Sequence, residues 1–301
     1  GSAILRAMGD SKRPLYFLIV ACLSNVVLDL VFVLVFKMGI AGVAIASILA
    51  QAISAVMVVM SLSAESMEYR FRFRQMRFEG DILSRTIRIG LPAGFQSIMY
   101  SLSNMLIQAS VNRFGTDTVA SWVVLGKVDG INWMILGALG IASMTFVGQN
   151  YGAGRLDRIQ KSLKLSLLIG VCISIVFGGA LLLFGWPLFG LFTSDDTVLA
   201  MSMQLLWYFA PFYWLFVPIE IISGALRGMG DTLIPTIITA TGICVFRVAW
   251  IYTVVPLHNS MFTVSLSYPI SWVLTAIAFA IYYMIARKKL IANAPKPRTA
   301  E

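Results

Sequence analysis

Five ionisable side chains stand inside stretches that are otherwise apolar: Asp29, Lys127, Asp129, Glu220 and Arg247. In hydrocarbon each such charge costs about 2.5 to 3.5 kcal/mol on insertion scales, so each needs a partner or a task. Lys127, Asp129, Glu220 and Arg247 sum to zero formal charge. Two readings follow: a structural charge network that staples neighbouring helices, or a set of which part lines a cavity. For the second, Asn132 and Trp133 lie three and four residues after Asp129 and share its helical face. A carboxylate beside an aromatic ring suits a cationic aromatic ligand. In an earlier stretch Gln96, Tyr100 and Asn104 recur every fourth residue, a polar stripe that adds three cavity candidates. Asp29 has no charged neighbour within its span. Asn25 stacks one turn before it, and Ser47 in the next span offers a hydroxyl. Together they would make an oxygen-lined pocket suited to sodium or a shared proton; the alternative is a lone Asp bonded to nearby backbone.

Other chemistries find little support. A single histidine, His258, rules out paired-histidine haem ligation and a zinc-binding HExxH helix. Cys22, Cys172 and Cys244 all fall in apolar stretches, with neither disulfide nor CxxC spacing. No nucleophile elbow or phosphate-cradling loop is present, so the expectation is a protein that is not an enzyme and carries no cofactor.

The elements that must position these side chains follow from composition. The 301 residues are 58% hydrophobic and only 12% charged, where a soluble globular chain carries roughly a quarter charged. A bilayer is crossed by about 20 apolar residues in a helix. Eight such spans are expected, near 14–37, 40–63, 87–111, 119–147, 165–192, 199–223, 233–255 and 261–286. The fold class is therefore all-α, a polytopic transmembrane helical bundle. In the second span Gly42, Ala46 and Ala50 place a small residue every fourth position, which permits close helix packing. Pro92, Pro211, Pro218 and Pro269 fall within spans and should kink them.

The formal charge of +9 raises nucleic acid as a partner, but 19 of the 23 Lys and Arg fall on one side of the alternating loops. By the positive-inside rule that side is cytoplasmic, and anionic headgroups rather than nucleic acid account for the charge. The expectation is a multi-pass protein of the plasma membrane, in bacteria the inner membrane, with a cytoplasmic C-terminus.

A repeat organises the chain. Ser2 to Pro14 read SAILRAMGDSKRP and Ser223 to Pro235 read SGALRGMGDTLIP, with seven identities and an offset of 221 residues. Each copy has the form of a helix end, a Gly-Asp turn and a Pro opening the next helix. Six expected spans separate the copies. An even number returns the chain to the same side, so the repeat is parallel. The expected organisation is 1–64 as the fifth and sixth helices of a first lobe, 65–86 as a basic cytoplasmic linker along the membrane surface, 87–290 as a complete six-helix lobe, and 291–301 as a tail. On this reading two parallel-repeat six-helix lobes are present, with the first four helices missing.

The two LRxxGD copies, the segment FVGQNYGAGRLDR from Phe146 to Arg158, IGLP from Ile89 to Pro92 and SYPISW from Ser267 to Trp272 together resemble the multidrug and toxic compound extrusion family. The resemblance implies export of cationic and amphipathic compounds in exchange for protons or sodium by a monomer whose termini are cytoplasmic. Its partners would be small organic cations and membrane lipids. The DinF-like branch binds its coupling cation with an Asn and an Asp at the spacing of Asn25 and Asp29 and a hydroxyl at the place of Ser47. The NorM-like branch carries acids on the first and fourth spans of the second lobe. Here the first of those has none, and Glu220 falls about a turn from the family position. A lipid-linked oligosaccharide flippase of the same superfold and a non-transporting membrane scaffold remain the alternatives.

Overall fold

The computed structural model describes residues 1–64 and 77–292. The alternating aromatic and Arg residues of the expected surface-lying linker, and the expected tail, fall largely outside the described residues. The chain divides into two compact units, Gly1–Gly80 and Asp81–Glu301. The described residues are mostly helical, with short turns between the helices, and contain no strand. The protein is an all-α bundle of membrane-spanning helices.

In the first unit α1 (Ser2–Ala7) ends at the first motif copy, α2 (Lys12–Leu30) continues through one π turn at Val31–Val35, and α3 (Gly39–Ser63) returns beside it. The motif closes α1 with a left-handed Gly9 (φ 90°). The Gly9 N–H donates to Arg6 O at 3.0 Å and the Asp10 N–H to Leu5 O at 3.0 Å. This pair of bonds is a Schellman cap, and glycine is needed because the left-handed residue would otherwise carry a Cβ penalty. Asp10 then turns its carboxylate to the start of α2, accepting from the Lys12 and Arg13 N–H groups at 3.2 and 3.1 Å. Gly42, Ala46 and Ala50 are buried along α3. A Cβ on Gly42 would stand 2.9 Å from Phe32 Cβ, so the small-residue stripe is where the helices approach.

In the second unit α4 (Gly80–Val111), α5 (Thr116–Gly152) and α6 (Leu156–Gly190) are long single helices. Next come α7 (Asp196–Phe209) and α8 (Val217–Gly228), joined by the 3-10 turn Ala210–Leu215. Then α9 (Leu233–Thr239) and α10 (Phe246–Thr253) flank a π turn at Ala240–Val245, and α11 (Met261–Ala292) ends the described chain. Pro211 and Pro218 lack the N–H that an α ladder needs, and the α7–α8 rod changes to 3-10 winding there. Pro92 and Pro269 sit inside continuous helices instead, as does Pro187.

Seven helical stretches among the described residues are long and apolar enough to cross a membrane. The eighth expected span, 87–111, is helical within α4 but falls short in apolarity. Its Gln96, Asn104 and Gln108, with four serines, dilute the hydrocarbon character. That polarity has a structural use, because this helix supplies one wall of a cavity.

Helix α8 is the axis of the second unit, with eight of its twelve residues buried. It lies against α5 through glycines. A Cβ on Gly228 would meet Met144 O at 2.5 Å and Gly148 N at 3.0 Å, and one on Gly224 would collide with Gly140 O. Without a hydrophobic drive between helices in lipid, such backbone approach supplies the packing. The second motif copy closes α8 as the first closes α1. Gly230 has φ 89°, its N–H donates to Arg227 O at 2.9 Å, and the Asp231 N–H donates to Leu226 O at 3.0 Å. The side chains then diverge. Arg227 donates to Gln96 Oε1 at 2.6 Å, Thr232 to Arg88 O at 3.4 Å, and Asp231 accepts from the Tyr282 hydroxyl at 2.5 Å. This copy therefore bolts α8 to α4 and α11. The GQNYGAG turn closes α5 by the same cap, with Gly154 at φ 69° and the Arg155 N–H donating to Asn150 O at 2.8 Å.

Candidate functional site

The second unit carries a half-open cavity of about 530 Å³ walled by α4, α5, the α7–α8 rod, α10 and α11. From α4 come Tyr100, Asn104 and Gln108, successive members of one helical stripe. From α5 come Trp122, Asp129 and Trp133; the proline-broken rod contributes Phe209, Phe216 and Glu220. Arg247, just past the π turn, and Tyr268 and Trp272 on α11 complete the wall.

The aromatic rings hold one another edge to face. Trp133 lies 4.9 Å from Phe216 and 5.8 Å from Trp272 between centroids, and Trp122 lies 5.8 Å from Phe209 and 6.0 Å from Tyr268. Each such pair adds about 0.5 to 1.5 kcal/mol beyond burial and ties neighbouring walls of the cavity together. Asp129 is buried and accepts a hydrogen bond from the Tyr213 hydroxyl, itself fully buried. Arg247 donates from Nε to Ser271 Oγ at 2.9 Å and lays its guanidinium 3.9 Å from the centroid of Tyr268. Gly140 on α5 leaves room for Glu220, whose Oε2 would lie 2.9 Å from a Cβ at that position.

Of the residues singled out in the sequence, the structure brings Tyr100, Asn104, Asp129, Trp133, Glu220 and Arg247 to this cavity. It does not bring Gln96, which is taken by Arg227. Asn132 is buried away from the lining, and its Nδ2 has no hydrogen-bond partner among the described residues. The expected charge network of Lys127, Asp129, Glu220 and Arg247 is not formed as ion pairs, since no oppositely charged atoms of these four come within 4.0 Å. Lys127 is exposed. Two residues turn a helix by about 200°, which points 127 away when 129 faces the cavity.

Of the wall residues named above, six escaped the sequence reading as ligand contacts: Gln108, Trp122, Phe209, Phe216, Tyr268 and Trp272. Gln108 continues the fourfold spacing of Gln96, Tyr100 and Asn104. Tyr268 and Trp272 are four apart around Pro269 in SYPISW, so their spacing carried the signal.

In the first unit Asn25 and Asp29 are half-buried on α2, and Asn25 Nδ2 and Asp29 Oδ1 are occluded without a hydrogen-bond partner among the described residues. Ser47 is exposed on α3, one position past the buried Ala46, and no hydrogen bond joins it to either.

The MatE family model matches residues 92–253. The Bacillus subtilis protein named probable multidrug resistance protein YoeA is 27% identical over 305 residues, covering 96% of this chain and 64% of that protein. A FAD transporter of Shewanella oneidensis is 28% identical over 210 residues, covering 66% of this chain and 45% of that one. Among solved structures, a MOP superfamily transporter from Pyrococcus furiosus superposes with a TM-score of 0.87 at 19% identity. That match covers 95% of this chain and 65% of the Pyrococcus chain. An outward-facing multidrug resistance MATE family transporter superposes with a TM-score of 0.84 at 18% identity. The chain thus spans 64% of the length of the Bacillus relative.

Proposed function

The chain belongs to the MatE family, and from that premise we propose that it is part of a cation-coupled efflux antiporter for amphipathic aromatic compounds, organic cations among them. The observation that carries this reading is the half-open cavity of about 530 Å³ among the helices of the second unit, walled by interlocked rings and reached by the side chains of Asp129, Glu220 and Arg247. Its volume is in the range of pockets that take drug-sized ligands. Its rings stack on flat molecules, and its carboxylates meet positive charge. A lipid-linked oligosaccharide suits it less, since neither a long isoprenoid tail nor a sugar chain matches a short aromatic box. The names of relatives, multidrug resistance proteins and a FAD transporter, fit small ring-bearing cargo. Coupling to protons or sodium falls to Asn25 and Asp29 on α2, with Ser47 on α3 as a third candidate, and transport proceeds by alternating access of two lobes. No resident cofactor is needed, and the working unit is a monomer in contact with lipid.

The native gene product carrying this chain, reconstituted in liposomes, is expected to move ethidium against its gradient when a proton or sodium gradient is imposed. Ethidium movement indifferent to both gradients would overturn the coupling. Orientation gives a separate check. In a bacterial inner membrane a reporter after Glu301 or near Gln75 should be cytoplasmic and one near Asp195 external; the reverse pattern would overturn the assigned topology.

A further inference from the structure

Arg247 is 4% exposed, deep in a membrane bundle, and has no carboxylate within 4.0 Å among the described residues. A buried cation of this kind ordinarily has a paired anion, because desolvation without one is costly. Its protein partners are instead neutral. Nε is spent on Ser271 Oγ, which is held in place by its own bond to Tyr268 O at 2.7 Å. One face of the guanidinium is laid on the Tyr268 ring. The two terminal nitrogens have no hydrogen bond from any described residue, and the side chain lines the cavity. A guanidinium fixed at Nε and flat against a ring presents its remaining N–H fork in one direction, the arrangement that takes a carboxylate or phosphate through two parallel bonds. The acids of the chamber do not compete for it. Asp129 is bonded to Tyr213, and Glu220 stands against Gly140 on another wall.

We propose that Arg247 is an oxyanion-recognition residue, so that the cavity accepts flat aromatic compounds carrying a carboxylate or phosphate as well as cations. This deepens the transport reading and rests on the same cavity. Glu220 and Arg247 on separate walls let one chamber take either sign of charge, with the rings holding the body common to both.

The test uses one ring system with three charges: 1-pyrenebutyrate, pyrenyl phosphate and 1-pyrenemethylammonium, titrated by fluorescence into the purified native gene product. At least one of the two anions is expected to bind, and comparing them shows which oxyanion the fork takes. Arg247→Ala should weaken the bound anion about tenfold or more, the worth of a charge-assisted bond, and leave the ammonium probe unweakened. Arg247→Lys should recover part of the anion affinity. Ser271→Ala keeps the charge but frees Nε, and should weaken anions alone by a smaller factor; it serves if Arg247→Ala does not fold. Binding of the ammonium probe with neither anion would overturn this proposal and leave the transport reading standing. Failure of all three probes to bind folded protein would overturn the cavity itself. Equal loss of anion and cation in folded Arg247→Ala would reduce the residue to a structural part.

Discussion

Replacing Gly228 by leucine or Gly224 by valine is expected to abolish recovery of folded protein, whereas Gly179→Ala should lower neither yield nor melting temperature. Overpacking in an ordinary core costs about 1 to 3 kcal/mol because side chains shift to make room. At Gly228 the obstacles are Met144 O and Gly148 N, and at Gly224 the carbonyl of Gly140; all are backbone. A helix backbone cannot yield locally, so the added carbons must drive α5 and α8 apart along their length. The separation would take Glu220 from Gly140 and disturb Trp133 against Phe216, opening the cavity wall. The cost should exceed about 3 kcal/mol, a large part of a typical stability of 5 to 15 kcal/mol. Gly179 has nothing within 4 Å of its would-be Cβ and controls for lost chain freedom. Size-exclusion profiles and thermal midpoints in detergent give the comparison. A Gly228→Leu protein that melts with the wild type would remove the glycine contact from its place in the fold.

The same glycines show what could be read in advance. The motif repeat fixes the caps at Gly9 and Gly230, because a Gly-Asp step after an apolar helix has one low-strain solution. The two copies differ where the helices meet other helices: Ala3 and Ala7 in the first stand at Gly224 and Gly228 in the second. Alignment alone marks those as mismatches, and only the arrival of α5 makes them contacts. The cavity was legible where its residues keep helical spacing, as at Tyr100 and Asn104 on α4. Opposing charge within one window misled at Lys127, which its phase on the helix carries away from Asp129. The 3-10 break between α7 and α8 could be expected from Pro211 and Pro218. Phe209 and Phe216, seven apart, keep the spacing of one helical face, but the prolines do not tell which wall of the bundle the 3-10 turn between them delivers the pair to.

Asp29→Asn in the native gene product is expected to abolish gradient-driven export of ethidium at unchanged membrane abundance, and Asn25→Ala to reduce it less. An occluded carboxylate oxygen and an occluded amide nitrogen one turn apart on α2, both without partners among the described residues, are an expensive arrangement. It is tolerable if a bound proton or sodium completes it during the cycle. A charged Asp29 would raise the cost of occlusion, and a neutralised one would lower it, so occupancy can bias the protein between two conformations. Asparagine keeps the shape and removes the ability to switch charge. The protein should therefore fold and reach the membrane while losing the link between gradient and cargo. Asn25 supplies a neutral ligand, so its loss weakens occupancy without removing the switch. Ser47, exposed on α3, should matter least unless the helices turn during the cycle. Binding of 1-pyrenemethylammonium should survive Asp29→Asn, because the cavity residues are untouched; that separates loss of coupling from loss of the cargo site. Export at the wild-type rate from folded Asp29→Asn protein would show that the coupling ion is held elsewhere.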